Sequence, residues 1–247
     1  MIYSKEFFKI QLAFAIRVKE LKNISLEKAL FDFTMLYKVL KLPRPIDPEN
    51  KEWLAFVELF SIHELNVDKA FDFYRATREI KHKSTDQKQT EKWFGYFRYE
   101  IEAEDAAISI HFDSGRNTDK SPYSRTEINE RRNEVQQLLK DVVKSHPNIH
   151  NVRGAASWMY NLPIFNELFP KEWINSATAV VDKFDSLALW GQFLRRDGTV
   201  REDIATAFYD SMEKATSEEQ LYRSFPYKVF KLGYIDIYNL LAFYNKR

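Results

Sequence analysis

The side chains best suited to chemistry lie close together around residues 100–112. Glu100, Glu102 and Glu104 occupy alternate positions, so they would share one face of a strand. Paired carboxylates can act as acid and base on a glycosidic bond. The alternative is that they form the solvent face of a half-exposed hairpin, which is the more common meaning of alternating polarity.

A histidine follows on the neighbouring segment. His111 stands inside the apolar run from Ile108 to Phe112. An imidazole at such a position either faces a ligand as a base or lies on the exposed side of a strand. Both interpretations stay open on the residues alone.

Metal chemistry finds little support in the sequence. His146 and His150 are four residues apart, but Pro147 interrupts the helix that would align two ligands at that spacing. The chain has no cysteine, which excludes disulfides, thiolate metal sites and a cysteine nucleophile. We therefore expect no metal site.

A polar loop before a predicted helix has the composition of an anion site. Residues 113–120 combine small side chains with Arg116 and Lys120, and they lead into a helix start at Ser124. Free backbone amides at a helix N-terminus favour anions, although a solvated surface loop fits the same residues. Gly115 stands alone here, and the six glycines of the chain are too widely spaced for a Rossmann or Walker phosphate loop.

Aromatic side chains offer a second kind of binding surface. Four of them could stack on bases or line a pocket: Trp158, Tyr160, Trp173 and Trp190. Core packing is the alternative, since aromatic residues make up 15% of the chain. Lys and Arg number 37 against 36 Asp and Glu, a balance that disfavours a duplex-binding protein.

The elements that must position these residues begin with helices. Ser25 is a predicted N-cap for a helix over residues 26–40, where apolar residues recur every three or four positions. Similar stripes predict helices over 7–21, 53–60 and 67–78. Residues 81–92 contain no large apolar side chain, so a linker and a domain boundary are expected there.

The period then changes to two, which indicates strands. Alternating apolar residues over 93–103 and 108–112 predict a hairpin. Ser124 and Glu127 have the spacing of a capping box for a helix that Pro147 ends. Further elements are predicted as follows: strands at 149–157, 177–184 and 187–194, a short helix from Asn161, and closing helices with capping boxes at Thr199/Glu202 and Ser217/Gln220.

Composition places the chain among globular proteins. Apolar residues make up 45% and charged residues 30%, and the longest apolar-looking stretch, residues 7–18, contains Lys9, Gln11 and Arg17. That stretch is shorter and more polar than the ~20 residues that span a bilayer, and it lacks the features of a signal peptide. We expect a protein without a membrane segment, in the reducing environment of the cytoplasm.

From residue 93 onward the order of elements resembles the later part of the GNAT acyltransferase fold. The sequence also resembles the GNAT-like C-terminal acyltransferase domains that follow a helical N-terminal domain. The matching segments are AISIHF, EINERRNEVQQLLKDVVKSHP, VRGAASWMYNLPIFNELFP and SATAVVDKF. In that family a strand ending in Ser-Trp leads to a short helix closing on Phe-Pro, here Ser157-Trp158 and Phe169-Pro170, and then to a strand with an early Ser and a late Phe, here Ser176 and Phe184.

The resemblance implies a site for acyl-CoA between two splayed strands, Ile108–Asp113 and Val152–Ser157. The residues expected to bind the cofactor are Asp113, Gly115, Arg116, Ser124, Arg153 and Ser157. The phosphates would lie in the Gly115-Arg116 loop. Tyr160 lies near the position of the tyrosine general acid in many of these enzymes.

These observations predict an α+β protein: a helical region over 1–80, a GNAT-like domain over 92–198 and C-terminal helices over 199–247 that pack on it. The leading hypothesis is acyl transfer from a CoA thioester to a small-molecule or peptide amine. His111, or a water that it holds, would take the amine proton, and Tyr160 would protonate the leaving thiolate. One alternative is a non-catalytic GNAT-shaped module that binds a protein or small ligand. A weaker one is single-stranded nucleic-acid binding through the aromatics and the basic stretch Arg116–Arg132.

Overall fold

A computed structural model of the chain describes residues 2–43, 45–60, 66–84, 92–113, 124–181 and 183–246, without the side chains of 80–84. The helices are α1 (Lys5–Lys22), α2 (Leu26–Phe33), α3 (Leu36–Val39), α4 (Lys51–Glu58), α5 (Val67–Ser84), α6 (Ile128–Ser145), α7 (Pro163–Asn166), α8 (Lys171–Ile174), α9 (Leu187–Trp190), α10 (Glu202–Lys214), α11 (Glu218–Tyr222) and α12 (Ile237–Asn245). The strands are β1 (Phe97–Glu102), β2 (Ala107–Phe112), β3 (Asn151–Gly154), β4 (Thr178–Ala179), β5 (Phe230–Lys231) and β6 (Tyr234–Asp236). The prediction of an α+β fold is confirmed.

Contacts within the chain divide it into two compact units. The helical unit comprises Met1–Lys88 and Asp182–Tyr227, and the sheet unit comprises Gln89–Val181 and Lys228–Arg247. The first crossing between them falls within the linker that the sequence predicts at residues 81–92. The crossings after Val181 and Tyr227 are additional to the predicted ranges 1–80, 92–198 and 199–247.

Aromatic rings form much of the core of the helical unit. Phe14 of α1 lies 5.1 Å from Phe225, ring centre to ring centre, and Trp190 of α9 lies 5.2 Å from the same ring. Phe193 and Phe208 are 4.9 Å apart in the same cluster. All five rings are buried. They come from residues 14 to 225, so the core of this unit joins segments that are far apart in the chain.

The predicted helix over residues 26–40 is two helices. Ser25 does cap the first, because its Oγ accepts a hydrogen bond from Lys28 N at 3.1 Å. Thr34 ends it: its hydroxyl donates to Leu30 O at 2.5 Å and accepts from Leu36 N at 3.2 Å. A β-branched residue that bonds locally in this way competes with the helical ladder, and α3 starts afresh after it.

The predicted strand at 187–194 is wrong. That segment is α9 followed by a 3₁₀ turn at Gly191–Phe193. Among the described residues of the predicted strand at 177–184, Thr178–Ala179 pairs with β5. The indole Nε1 of Trp190, at the end of α9, donates to Phe184 O at 2.6 Å. This bond holds the buried indole against the backbone that precedes α9. A short apolar run does not distinguish a buried helix from a strand by its period.

Of the two serine or threonine caps predicted for the closing helices, one is formed and one is not. Ser217 Oγ accepts from Gln220 N at 3.3 Å at the start of α11, as predicted. Thr199 instead donates its hydroxyl to Asp197 Oδ1 at 2.6 Å within a turn, and α10 begins later without a side-chain cap. The Thr199 hydroxyl is therefore bonded to a turn residue, Asp197, and does not cap the helix as its spacing to Glu202 predicts.

The sheet unit is built on a four-stranded mixed sheet in the order β1-β2-β3-β6. The predicted hairpin β1–β2 is antiparallel, β2 and β3 are parallel, and β3 and β6 are antiparallel. The parallel pair is connected through α6, as a parallel connection requires a crossover. Buried residues of α6, including Val135, Leu138 and Leu139, form one core with Ile108 and Val152.

Candidate functional site

One face of the sheet carries a row of polar side chains. The register pairs Arg98 with His111, Glu100 with Ser109, and Ser109 with Arg153 across three strands. Paired residues lie on the same face, and alternate residues on opposite faces. The apolar residues between them, such as Ile108, therefore face the core, and the sheet has a polar and an apolar side.

Arg153 is held within this polar face. Its Nε donates to Ser109 Oγ at 2.9 Å, and its Nη2 lies 2.6 Å from Glu102 Oε1. The Ser109 hydroxyl in turn donates to the same Glu102 oxygen. The sequence assigned Arg153 to cofactor binding; here its guanidinium is engaged by a carboxylate and a buried hydroxyl.

His111 lies beside a second carboxylate. Its Nε2 is 3.2 Å from Glu100 Oε2, although the two are not aligned as a hydrogen bond. Burial lowers the pKa of His111, and the nearby Glu100 carboxylate opposes that shift without cancelling it. The imidazole is therefore neutral at pH 7, the form in which it can accept a proton.

The strand β3 pairs with β2 along its whole length, and β2 continues for two residues beyond it. Their register runs from Ala107 with Asn151 to Ile110 with Gly154, and the last bond is from Ala155 N to Ile110 O at 3.1 Å. Beyond this point Asp113 N donates to Tyr96 O on the β1 side. The segment after β3 runs toward β5, and there Ser157 and Phe230 each donate a backbone hydrogen bond to the other.

The Tyr160 hydroxyl lies where the strands part. A Cβ at Gly154 would be 2.2 Å from this oxygen and 2.9 Å from Leu232 Cγ. Glycine is therefore required by the close approach of the phenol. Burial raises the pKa of Tyr160, so the group stays protonated.

The two predicted catalytic side chains lie on opposite sides of the sheet. His111 belongs to the polar face, whereas Gly154 shares the apolar face with its register partner Ile110. Tyr160 packs against that apolar face, with its ring centre 5.5 Å from Phe165.

The remaining predicted cofactor residues have varied positions. Gly115 and Arg116 lie outside the described residues. Asp113 is an exposed residue at the end of β2. Ser157 caps the 3₁₀ turn Trp158–Asn161, since its Oγ accepts from Met159 N at 3.1 Å.

The capping box at Ser124 is wrong. Its Oγ lies 2.9 Å from Thr126 Oγ1, and α6 begins only at Ile128, with Glu127 at the N-cap and no side-chain cap. Residues 124–127 form a turn before the helix. The end of α6 at Ser145, before Pro147, agrees with the prediction.

Ser157→Ala and Ser124→Ala should differ in their effect on stability. The first removes a cap, which typically costs roughly 0.5–1 kcal/mol of unfolding free energy. The second removes an exposed contact between two hydroxyls, so urea unfolding should give a value within about 0.3 kcal/mol of the unaltered protein. Equal losses in the two variants would contradict the assignment of the caps.

Most of the aromatic residues proposed for stacking are packed inside the units. Tyr160, Trp173 and Trp190 are buried, and Trp158 is partly buried. The Trp173 indole donates to Gly233 O at 2.7 Å. These rings support the core-packing interpretation.

The alternation in the sequence groups Glu100, Glu102 and Glu104, but of these three only Glu100 and Glu102 belong to β1. Glu104 lies in the 3₁₀ turn Ala103–Asp105. Arg98 and Ser109 were missed, although both could have been found by extending the alternation across the hairpin. The alternation does not give the length of the turn, and that length sets which residues of the two strands are paired.

Among the residues that the structure describes, no group of three or more His, Cys, Asp or Glu side chains could hold a metal ion. Within the same described ranges, no helix has the length and apolar character needed to cross a membrane. Comparisons with known protein families, with curated proteins and with solved structures found no match. The class that the fold defines is an α+β protein with a mixed sheet flanked by helices.

Proposed function

We propose that this protein is an acyl-CoA-dependent N-acyltransferase with a GNAT-like sheet unit. The observation that carries the proposal is that β3 ends at Gly154, whereas β2 continues for two residues beyond its last partner, Ile110. The proposed site, here termed the gap, is the space beside these last two residues of β2. The extended, narrow arm of an acyl-CoA would lie there.

The order of elements around the gap supports the same proposal. The hairpin, the crossover helix and the parallel strand follow the order that the resemblance to the GNAT fold implies. The antiparallel neighbour of β3 is β6, which lies outside the predicted GNAT-like range of 92–198. A fold alone does not establish an activity, so the side chains at the gap must supply the rest.

The base of the proposed reaction lies on the polar face of the sheet, and the acid lies on the apolar face. In the proposed reaction the amine nitrogen attacks the thioester carbonyl while neutral His111 takes its proton. The N–H of Ala156 has no hydrogen-bond partner among the described residues, and it could polarise the thioester oxygen. The C–S bond then breaks, and Tyr160 gives its proton to the leaving thiolate.

A second candidate function is a GNAT-shaped module that binds a ligand without turnover. Two observations favour it: the Tyr160 phenol is packed against Gly154 and Leu232, and Arg153 is engaged by Glu102. Both arrangements occupy groups that a cofactor would use.

The acceptor under the leading proposal is a small-molecule or peptide amine. The absence of cysteine suits a cytoplasmic setting for this reaction.

Acetyl-CoA should raise the melting temperature of the protein. A ligand that binds only the folded state at 100 times its Kd contributes about 2.7 kcal/mol of stability. Differential scanning fluorimetry with acetyl-CoA, a long-chain acyl-CoA and adenosine diphosphate measures the effect, the last being a control for phosphate binding alone. An unchanged melting temperature with both acyl-CoAs at millimolar concentration would contradict the acyltransferase proposal.

A further inference from the structure

The imidazole of His111 has one nitrogen turned inward. Its Nε2 is buried and lies 3.2 Å from Glu100 Oε2, yet 28% of the side chain is exposed. The exposed part must therefore belong to other atoms of the residue. Nδ1 is the ring nitrogen that does not face this carboxylate.

The carboxylate that faces Nε2 is itself fixed. Arg98 Nη1 lies 2.6 Å from Glu100 Oε1, so one oxygen bonds the guanidinium and the other faces the imidazole. Burial alone would raise the pKa of Glu100, but the Arg98 hydrogen bond and the His111 charge outweigh it and lower the pKa. Glu100 is thus a charged acceptor held between two neighbours.

We infer that Glu100 is a positioning residue that holds His111 with its proton on Nε2 and its lone pair on Nδ1. The inference rests on the proposed function, in which His111 is the base. The Nδ1 lone pair accepts the proton of the attacking amine, and Glu100 then faces the resulting imidazolium. Poorly aligned contacts of this kind commonly tighten when substrate binds.

Charges on the neighbouring strand β1 act on the ring. Glu100 and Glu102 of β1 favour the protonated imidazole, and Arg98 of β1 opposes it. Arg153 of β3 lies on the same face, paired with Glu102. Replacement of Glu100 by a neutral residue should therefore lower the pKa of His111 further.

The test is nitrogen-15 NMR of the histidine side chains, with the His111 signal assigned by its loss in His111→Gln. We expect the neutral ring to carry its proton on Nε2. Glu100→Gln should weaken that tautomer preference and lower the pKa of His111, because the carboxylate that favours the protonated ring is removed. Glu104→Gln removes an equal charge from the neighbouring turn and should leave both quantities nearly unchanged. A predominant Nδ1–H tautomer, or equal shifts in the two variants, would overturn the inference.

A kinetic measurement separates this inference from the proposed function. Free coenzyme A is measured from acetyl-CoA with propylamine, free lysine and a lysine-containing peptide as probes. Glu100→Gln should lower kcat about tenfold, leave the KM for acetyl-CoA unchanged, and move the acidic limb of the pH profile downward. Unchanged kcat would overturn the positioning role. If the unaltered protein consumes no acetyl-CoA, the proposed function fails, and the tautomer measurement still decides whether Glu100 orients His111.

Discussion

Tyr160→Phe is expected to bind acetyl-CoA as the unaltered protein does and to release coenzyme A about a hundredfold more slowly. General acid catalysis contributes on the order of 10²–10⁴ in rate, and this substitution removes only the proton that would be given to the thiolate. The buried phenol has a raised pKa, so it holds that proton throughout the neutral range. The rate should therefore show no loss from deprotonation of Tyr160 as the pH rises toward 9.

The measurement is thiol release from acetyl-CoA with the same amine probes, together with the acetyl-CoA melting shift. Tyr238→Phe is the matched control, because that tyrosine is 56% exposed on α12. This variant should release coenzyme A at the rate of the unaltered protein. An undiminished rate in Tyr160→Phe would remove the phenol from the mechanism. Loss of the melting shift would instead assign it to cofactor binding.

The sequence predicts much of the frame of this site. The change of period at residue 93 correctly predicts the hairpin, because a strand with one face on a core must alternate. The long apolar stripe of α6 and the proline after it predict that helix and its end. Both signals are local, so a single sequence carries them.

The parts that could not be predicted depend on distant contacts. The strand β6 lies about 80 residues from its partner β3, and no local pattern identifies that pairing. The segment at 187–194 folds as a helix because Trp190 joins a ring cluster with Phe14 and Phe225, which are far away in the chain. Such tertiary contacts override short apolar patterns.

The candidate site shows the same division. The alternation of Glu100 with Glu102 correctly places both on one face, but their partners Arg98 and Arg153 follow only from the register. Ser124 illustrates the limit of a motif: the spacing to Glu127 is correct, yet the backbone turns before the helix starts. A four-residue spacing does not establish the backbone geometry that a capping box requires.

Gly154→Ala should destabilise the sheet unit by about 2 kcal/mol, within the range for overpacking a buried site. The new methyl group would lie 2.2 Å from the Tyr160 oxygen and 2.9 Å from Leu232 Cγ, and both side chains are buried. Tyr160→Phe removes the nearer atom. In the double variant the loss should be smaller than the sum of the single losses by about 1 kcal/mol, the size of coupling expected for residues in contact.

Urea unfolding of the two single variants and the double variant measures this coupling. Gly233→Ala is the control, since its methyl group would approach Ser176 Oγ only to 3.3 Å, and Tyr160→Phe should not alter its effect. Coupling confined to Gly154 would mean that the phenol lies directly on the backbone at Gly154, where the pairing of β3 with β2 ends. Additive losses at Gly154 would mean that the Tyr160 hydroxyl lies elsewhere, and the proton donor of the proposed reaction would have to be sought among other residues.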